Sequence, residues 1–261
     1  MSDSVLFAVA DAVATITLNR PQVMNALDAA MIARLRAACE QVERDAAVRA
    51  VVVRGVGPAF LAGGDVSVFH ANLPRMSQVV RENAAELHHA VLALRRAPKP
   101  VLVAVHGAVA GAGVSLMAAA DLVIAAEGTR FTLAYSKIGA SPDGGATYFL
   151  PRLVGYRKAL ELMLLADAFD AQAALELGLV NWVVSAEALS TETGNIARRL
   201  ALGATYAFGE TKRLVNQSHD HALAAQLNAE VEAFVRCAGT RDFAEGVTAF
   251  VEKRKPNFKG N

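Results

Sequence analysis

Cysteine is nearly absent: the 261 residues hold only Cys39 and Cys237, which lack the paired spacing of a metal site. A reduced, intracellular chain without a resident metal is the simplest expectation, and nothing in the pattern supports a disulfide. An excess of one charge is missing too. Lys and Arg number 26 against 25 Asp and Glu, for a formal charge of +1. There is no broad field to draw in nucleic acid or an anionic membrane, and an anionic ligand must be met by a local basic cluster. Aromatic residues supply 6% of the chain and apolar residues 54%, so the core has to be built mainly from closely packed Ala, Val and Leu. No basic-then-apolar export segment opens the sequence. Asp3 and Asp11 accompany an alternating strand pattern, VLFAVADAVATITLN, and a cytoplasmic location is expected. The apolar run from Val101 to Ala126 is broken by His106, Gly107, Gly111, Gly113 and Asp121, which fits a buried strand followed by a buried helix better than a membrane span.

What is present is an alternation of strands and helices. Two strands are predicted around Val5 to Ala10 and Ala14 to Leu18, then a helix from about Asp28, a plausible N-cap, with Ile32, Leu35, Cys39 and Val42 on one face. AVVVRG reads as a buried strand, GPAFLAGGDV as a glycine-rich loop, and Gln78 to Arg96 as a helix ended by Pro98 and Pro100. The next unit has strand VLVAVHG, loop AVAGAG and helix VSLMAAA, followed by strand DLVIAAE. From about Asn195 the strand signal stops, and Leu223, Leu227, Val231 and Phe234 recur at helical spacing. This divides the chain into an α/β core over 1–195 and a helical region over 196–261. Spacing alone leaves a doubly wound sheet and a spiral both open.

Two loops invite chemistry. In Phe60-Leu61-Ala62-Gly63-Gly64-Asp65, small residues after a buried strand let the backbone approach a ligand, while Asp65 also suits a helix cap. Gly111-Ala112-Gly113 falls between a strand and a helix start, where unpaired amides favour negative charge. Leu116 stands where a nucleotide-binding GxGxxG would need its third glycine.

Together with their flanks these loops resemble the crotonase, or enoyl-CoA hydratase/isomerase, superfamily. The likeness covers LNRPQVMNAL, AFLAGGDV, HGAVAGAGVSLMAAAD, SPDGGATYFLPRLVG, ALELGLVNWVV and FVEKRKPNFKG, in order along nearly the whole chain. It implies a spiral of strand-strand-helix turns with a C-terminal helical trimerisation region, assembling as a homotrimer or a hexamer of two trimers. It implies an acyl-CoA thioester as partner, the coenzyme being part of the substrate and no separate cofactor being needed. By the same resemblance the amides of Ala62 and Ala112 form an oxyanion hole, Ala62, Gly63, Gly64 and Asp65 lie along the coenzyme, and the tail carrying Lys253, Arg254 and Lys255 approaches a neighbouring subunit's site, where it can neutralise coenzyme phosphates; as residues, these three equally suit a solvated basic terminus.

The family's hydratases use two glutamates, at positions that here hold Ser115 and Tyr135. A serine hydroxyl is a poor base and a phenol of pKa ~10 stays protonated at neutral pH. Asp143 in SPDGG resembles instead the aspartate of family isomerases, where one carboxylate removes a proton from C2 and returns it at C4. As residues, Asp143 equally suits a turn and Ser115 a hydroxyl bonded back to the preceding helical turn. Alternatives are nucleophilic attack by Asp143, as in aryl-CoA dehalogenases, a catalytically silent CoA-ester binder, and hydration by a non-standard residue set. His88 and His89 read as solvated or packed, and His106 as structural.

Overall fold

The alternating apolar residues at the start of the chain form a half-buried hairpin. Val5–Ala10 (β1) pairs antiparallel with Val13–Leu18 (β2) through Asp11 and Ala12, both at positive φ, as in the primed turns that match strand twist. The structure is a computed structural model describing residues 3–261. Beside β2, and parallel to it, run Ala50–Gly55 (β3), Val101–Val105 (β5), Leu122–Ala126 (β7) and Trp182–Val184 (β10). A second sheet is built from short strands, in the order Ala59–Leu61 (β4), Ala108–Ala110 (β6), Arg130–Thr132 (β8) and Phe169–Asp170 (β9). The chain thus lays one strand in each sheet per turn before entering a helix, which makes the fold a spiral and not a doubly wound sheet. Strands β4 and β6 fall inside segments read from sequence as loops. Three residues are too few to carry a periodicity from which a strand could be read.

Helix Ala29–Arg44 (α1) starts where expected, with the Asp28 side chain accepting the Met31 N–H at 2.8 Å. Met76–Arg96 (α3) packs against it. Between β4 and α3 lies the short helix Val66–Ala71 (α2). The apolar run from Val101 becomes β5, β6, the seven-residue helix Ala112–Ala118 (α4) and β7, and no helix is long and apolar enough to cross a membrane among the described residues. After β8 come Ala146–Val154 (α5), Tyr156–Leu165 (α6) and Ala171–Glu176 (α7).

Alternation along the central strands divides the core. Val51, Val53, Val101, Val103 and Val105 face α1, α3 and α4 in the main cluster. Val52, Leu102, Ala104 and Ile124 face the other way, where Ala197 of Leu189–Ala201 (α8) covers them. The division between 195 and 196 therefore falls within α8, a helix that belongs to the sheet. Beyond it lie Thr205–Gln217 (α9), Leu223–Ala238 (α10) and Arg241–Val251 (α11).

Candidate active site

The loop after β4 is held by a ladder to the segment before α1. Ala62 N–H donates to Met24 O at 3.0 Å, Leu27 N–H to Gly63 O at 2.8 Å, and Asp65 N–H to Leu27 O at 2.9 Å. This corrects the role expected of Ala62, because its amide is spent on Met24. Alternation along the ladder turns the Gly64 amide to the opposite side, where it has no hydrogen-bond partner among the described residues. Asn25 fixes the approach: fully buried, it donates to Val56 O, Ala59 O and Phe60 O at 3.0, 2.8 and 3.1 Å. Sequence reasoning did not single it out, although it lies in the resembling stretch LNRPQVMNAL.

Asp65 stands behind this loop. Its carboxylate caps α2 through the Ser67 N–H at 3.2 Å and the Ser67 hydroxyl at 2.5 Å, and pairs with Arg20 at 3.2 Å. The Ser67 hydroxyl and then Arg20 hold it below the usual carboxylate range. The bond set is that of a cap, as the residue type also allowed.

The second loop meets the first at the start of α4. Gly111, at φ 49°, precedes Ala112, whose N–H is unpaired among the described residues. Gly63 makes the meeting possible: at φ 91° a Cβ there would fall 3.3 Å from Ala110 O and 3.8 Å from Ala112 N. Gly113 sets the depth, since a Cβ would lie 2.3 Å from Leu61 O. The open amides of Gly64 and Ala112 are thereby carried on backbone packed in contact.

Both loops line a cavity of about 420 Å³, walled by apolar side chains such as Ile32, Phe69, Val80 and Leu87, a size suited to a small-molecule site. Asp143 and Tyr135 line it too, and Asp143 is its sole carboxylate among the described residues. Tyr135 O–H donates to Asp143 Oδ1 at 2.7 Å and lies 3.0 Å from Ser115 Oγ. Burial, and then the neighbouring Asp143 carboxylate, push the Tyr135 phenol well above its ordinary value, so it stays protonated. Ser115, fully buried on α4, also reaches back to Gly111 O at 3.4 Å. His88 of α3 accepts the Gly144 N–H on Nε2 at 3.3 Å, steadying the turn that carries Asp143. His106 Nε2 contacts Gly57 O at 2.9 Å, at the end of β5. Lys253 and Lys255 are exposed beyond α11 and do not line this cavity, and Arg254 between them is paired with Glu245 and Glu252 at 2.7 and 2.6 Å.

The family model described as enoyl-CoA hydratase/isomerase matches residues 8–261. The chain belongs to this family. Among its relatives, 1,2-epoxyphenylacetyl-CoA isomerase of Escherichia coli (strain K12) is 36% identical over 262 residues, covering 100% of both chains. Trans-2-decenoyl-[acyl-carrier-protein] isomerase of Streptococcus mutans is 34% identical over 257 residues, covering 98% of each. The crystal structure of an enoyl-CoA hydratase from Polaromonas sp. JS666 superposes with a TM-score of 0.93 at 35% identity, over 98% of this chain and 99% of that one. Both reaction names thus occur among the relatives of this hydratase/isomerase family member, and the choice between them turns on its own cavity.

Proposed function

We propose that this enoyl-CoA hydratase/isomerase family member shifts a double bond in an acyl-CoA thioester, converting a 3-enoyl to a 2-enoyl ester. The observation that carries the reading is Asp143, a lone carboxylate on the wall of a cavity that also presents two open amides. Asp143 takes a proton from C2; the C2–H electron pair moves into the thioester, and the Gly64 and Ala112 amides hold the resulting dienolate oxygen. The same carboxyl returns the proton at C4. One base suffices because the proton leaves and rejoins the same face. Hydration by the family's usual route needs a second carboxylate, and Ser115 and Tyr135 supply only hydroxyls. The coenzyme is part of the substrate, and no further cofactor enters the chemistry.

Asp143→Asn supplies the test. With a 3-enoyl-CoA ester in deuterated water, the wild-type protein is expected to isomerise it and to exchange its C2 protons. The variant should lose both by at least roughly 10²-fold, at the lower end of what general-base catalysis contributes, with ester affinity nearly unchanged. Equal exchange by the two proteins eliminates the aspartate as base. A covalent ester trapped on Asp143 points instead to nucleophilic chemistry.

Assembly belongs to the same reading. The apolar faces of α10 and α11 are the proposed contact between subunits of a trimer, which brings Lys253 and Lys255 toward the coenzyme phosphates in a neighbouring site. Phe234 and Phe250, 67% and 85% exposed, support this, because the single chain leaves them in water.

A further inference from the structure

Ser115 and Tyr135 stand where the family's hydratases carry their glutamates, and isomerisation by Asp143 uses neither as a base. They are not idle packing. Ser115 Oγ and Tyr135 Oη are 3.0 Å apart, and Tyr135 Oη is 2.7 Å from Asp143 Oδ1. At the other end Ser115 Oγ is 3.4 Å from the carbonyl of Gly111. That carbonyl belongs to the same peptide group as the Ala112 N–H, the open amide proposed to hold the thioester oxygen. It also accepts the Val114 and Ser115 amides at 3.0 and 3.2 Å. The cluster is close: a Cβ on Gly111 would lie 3.9 Å from Tyr135 Cζ, and one on Gly144 would lie 2.9 Å from Ser115 Cβ. Ser115 is fully buried, so its proton must be shared among these neighbours.

An ionised Asp143 can only accept, which fixes the direction of both hydroxyls. Tyr135 gives its single proton to Asp143, and Ser115 then gives its own to Tyr135, leaving the Gly111 carbonyl with a long, weak contact. Once Asp143 has taken the C2 proton on its other oxygen, the charge that favoured this order is gone. Tyr135 is then free to turn to Ser115, and Ser115 to Gly111 O. Both hydroxyls keep their protons and only rotate; the bond broken is C2–H and the bond made is O–H on Asp143. A donor arriving on the Gly111 carbonyl polarises its peptide and makes the Ala112 N–H a stronger donor.

We propose that Ser115 and Tyr135 form a hydroxyl relay that couples the charge on Asp143 to the donor strength of the Ala112 amide, so that the oxyanion hole tightens as the enolate forms. Both act as positioning residues. The inference rests on the isomerase reading for its timing, but the coupling can be measured without turnover.

The measurement is the carbonyl stretch of a saturated acyl-CoA, carbon-13-labelled at the thioester carbonyl and bound to the wild type, D143N, S115A and the S115A/D143N double variant. Asparagine at position 143 stands in for the protonated carboxyl. The relay predicts that D143N lowers the bound carbonyl frequency more in the Ser115 protein than in the S115A background, with Y135F abolishing the difference in the same way. Without either hydroxyl the Ala112 donor does not strengthen as the enolate forms, so S115A and Y135F should each slow C2 exchange by roughly threefold to tenfold, the size of one hydrogen bond, at unchanged ester affinity. Equal D143N shifts in all backgrounds overturn the relay. C2 exchange persisting in D143N defeats the isomerase reading instead, and leaves the comparison of shifts intact. If S115A does not fold, the Y135F series decides alone.

Discussion

Ala112 occupies the first helical position of α4, where a backbone N–H has no partner within the helix and proline is tolerated. Gly111 before it has no Cβ to collide with a proline ring. Ala112→Pro therefore removes the proposed donor while leaving the helix intact. We expect a melting temperature close to that of the wild type and an isomerisation rate lower by roughly 10²–10³-fold, the usual loss for one oxyanion-hole donor. A normal rate in the folded variant would show that position 112 contributes no hydrogen bond. Tyr135 offers a second, pH-dependent signature. Its folded pKa is raised by burial and then by Asp143, so the folded state keeps a proton that the unfolded chain loses near pH ~10. The stability this contributes is present in full below that pH and declines as pH climbs toward the folded value. In an alkaline titration of the folded protein, the tyrosinate absorbance step should therefore have the same amplitude in Y135F as in the wild type. A step smaller by one tyrosine in the variant would place Tyr135 in contact with water.

At the scale of elements, α9 is fastened to the sheet by a charge. Lys212 Nζ lies 2.7 Å from Asp121 Oδ2 and donates to Leu94 O at 2.7 Å. Asp121 also accepts the Val101 N–H at 2.8 Å. The Lys212 side chain is 8% exposed, and breaking so buried a pair strands its partner. Lys212→Met is expected to cost about 3–5 kcal/mol in denaturant unfolding; a cost within the scatter of surface mutations would mean that Asp121 is adequately served by Arg95 and Val101. Asp121 read from sequence only as an interruption of an apolar run, because its partner lies on α9, far along the chain. The same limit explains what was and was not legible elsewhere. The hairpin β1–β2 and helix α1 were visible because their signals, alternation and an Asp28 cap, are local. The short strands β4 and β6 were not. The assignment of Ala62 failed for a related reason: which amides of a loop stay open depends on which carbonyls cross it, here those of Met24 and Leu27. Asp143 was visible as a carboxylate in a resembling motif, but its bond to Tyr135, and the bond of Tyr135 to Ser115, required the fold.

For the whole molecule, one apolar surface left in solvent runs over α10 and α11. The residues that the periodicity of α10 marks as apolar, Leu223, Leu227, Val231 and Phe234, are all exposed, and Phe250 and Val251 of α11 join them. Each buried leucine or phenylalanine contributes roughly 1.5–3 kcal/mol relative to exposure, so a surface this rich in them is unfavourable in water unless another chain covers it. The basic tail follows directly from α11, and Arg254 anchors its start to Glu245 at 2.7 Å. An interface on α11 would therefore fix Lys253 and Lys255 against the neighbour at the same time. Phe250→Asp separates assembly from folding, because 85% of Phe250 is in solvent in the single chain and its loss removes little from the core. The expected result by light scattering at micromolar concentration is a shift from the proposed trimer to monomer, with the circular dichroism spectrum unchanged. The isolated subunit should also bind a CoA ester more weakly, and adding K253A and K255A to it should weaken binding no further, because the proposed contact of the lysines runs across the interface. A trimer that survives Phe250→Asp would move the contact off α11; monomers that keep full affinity would remove the two lysines from the coenzyme site.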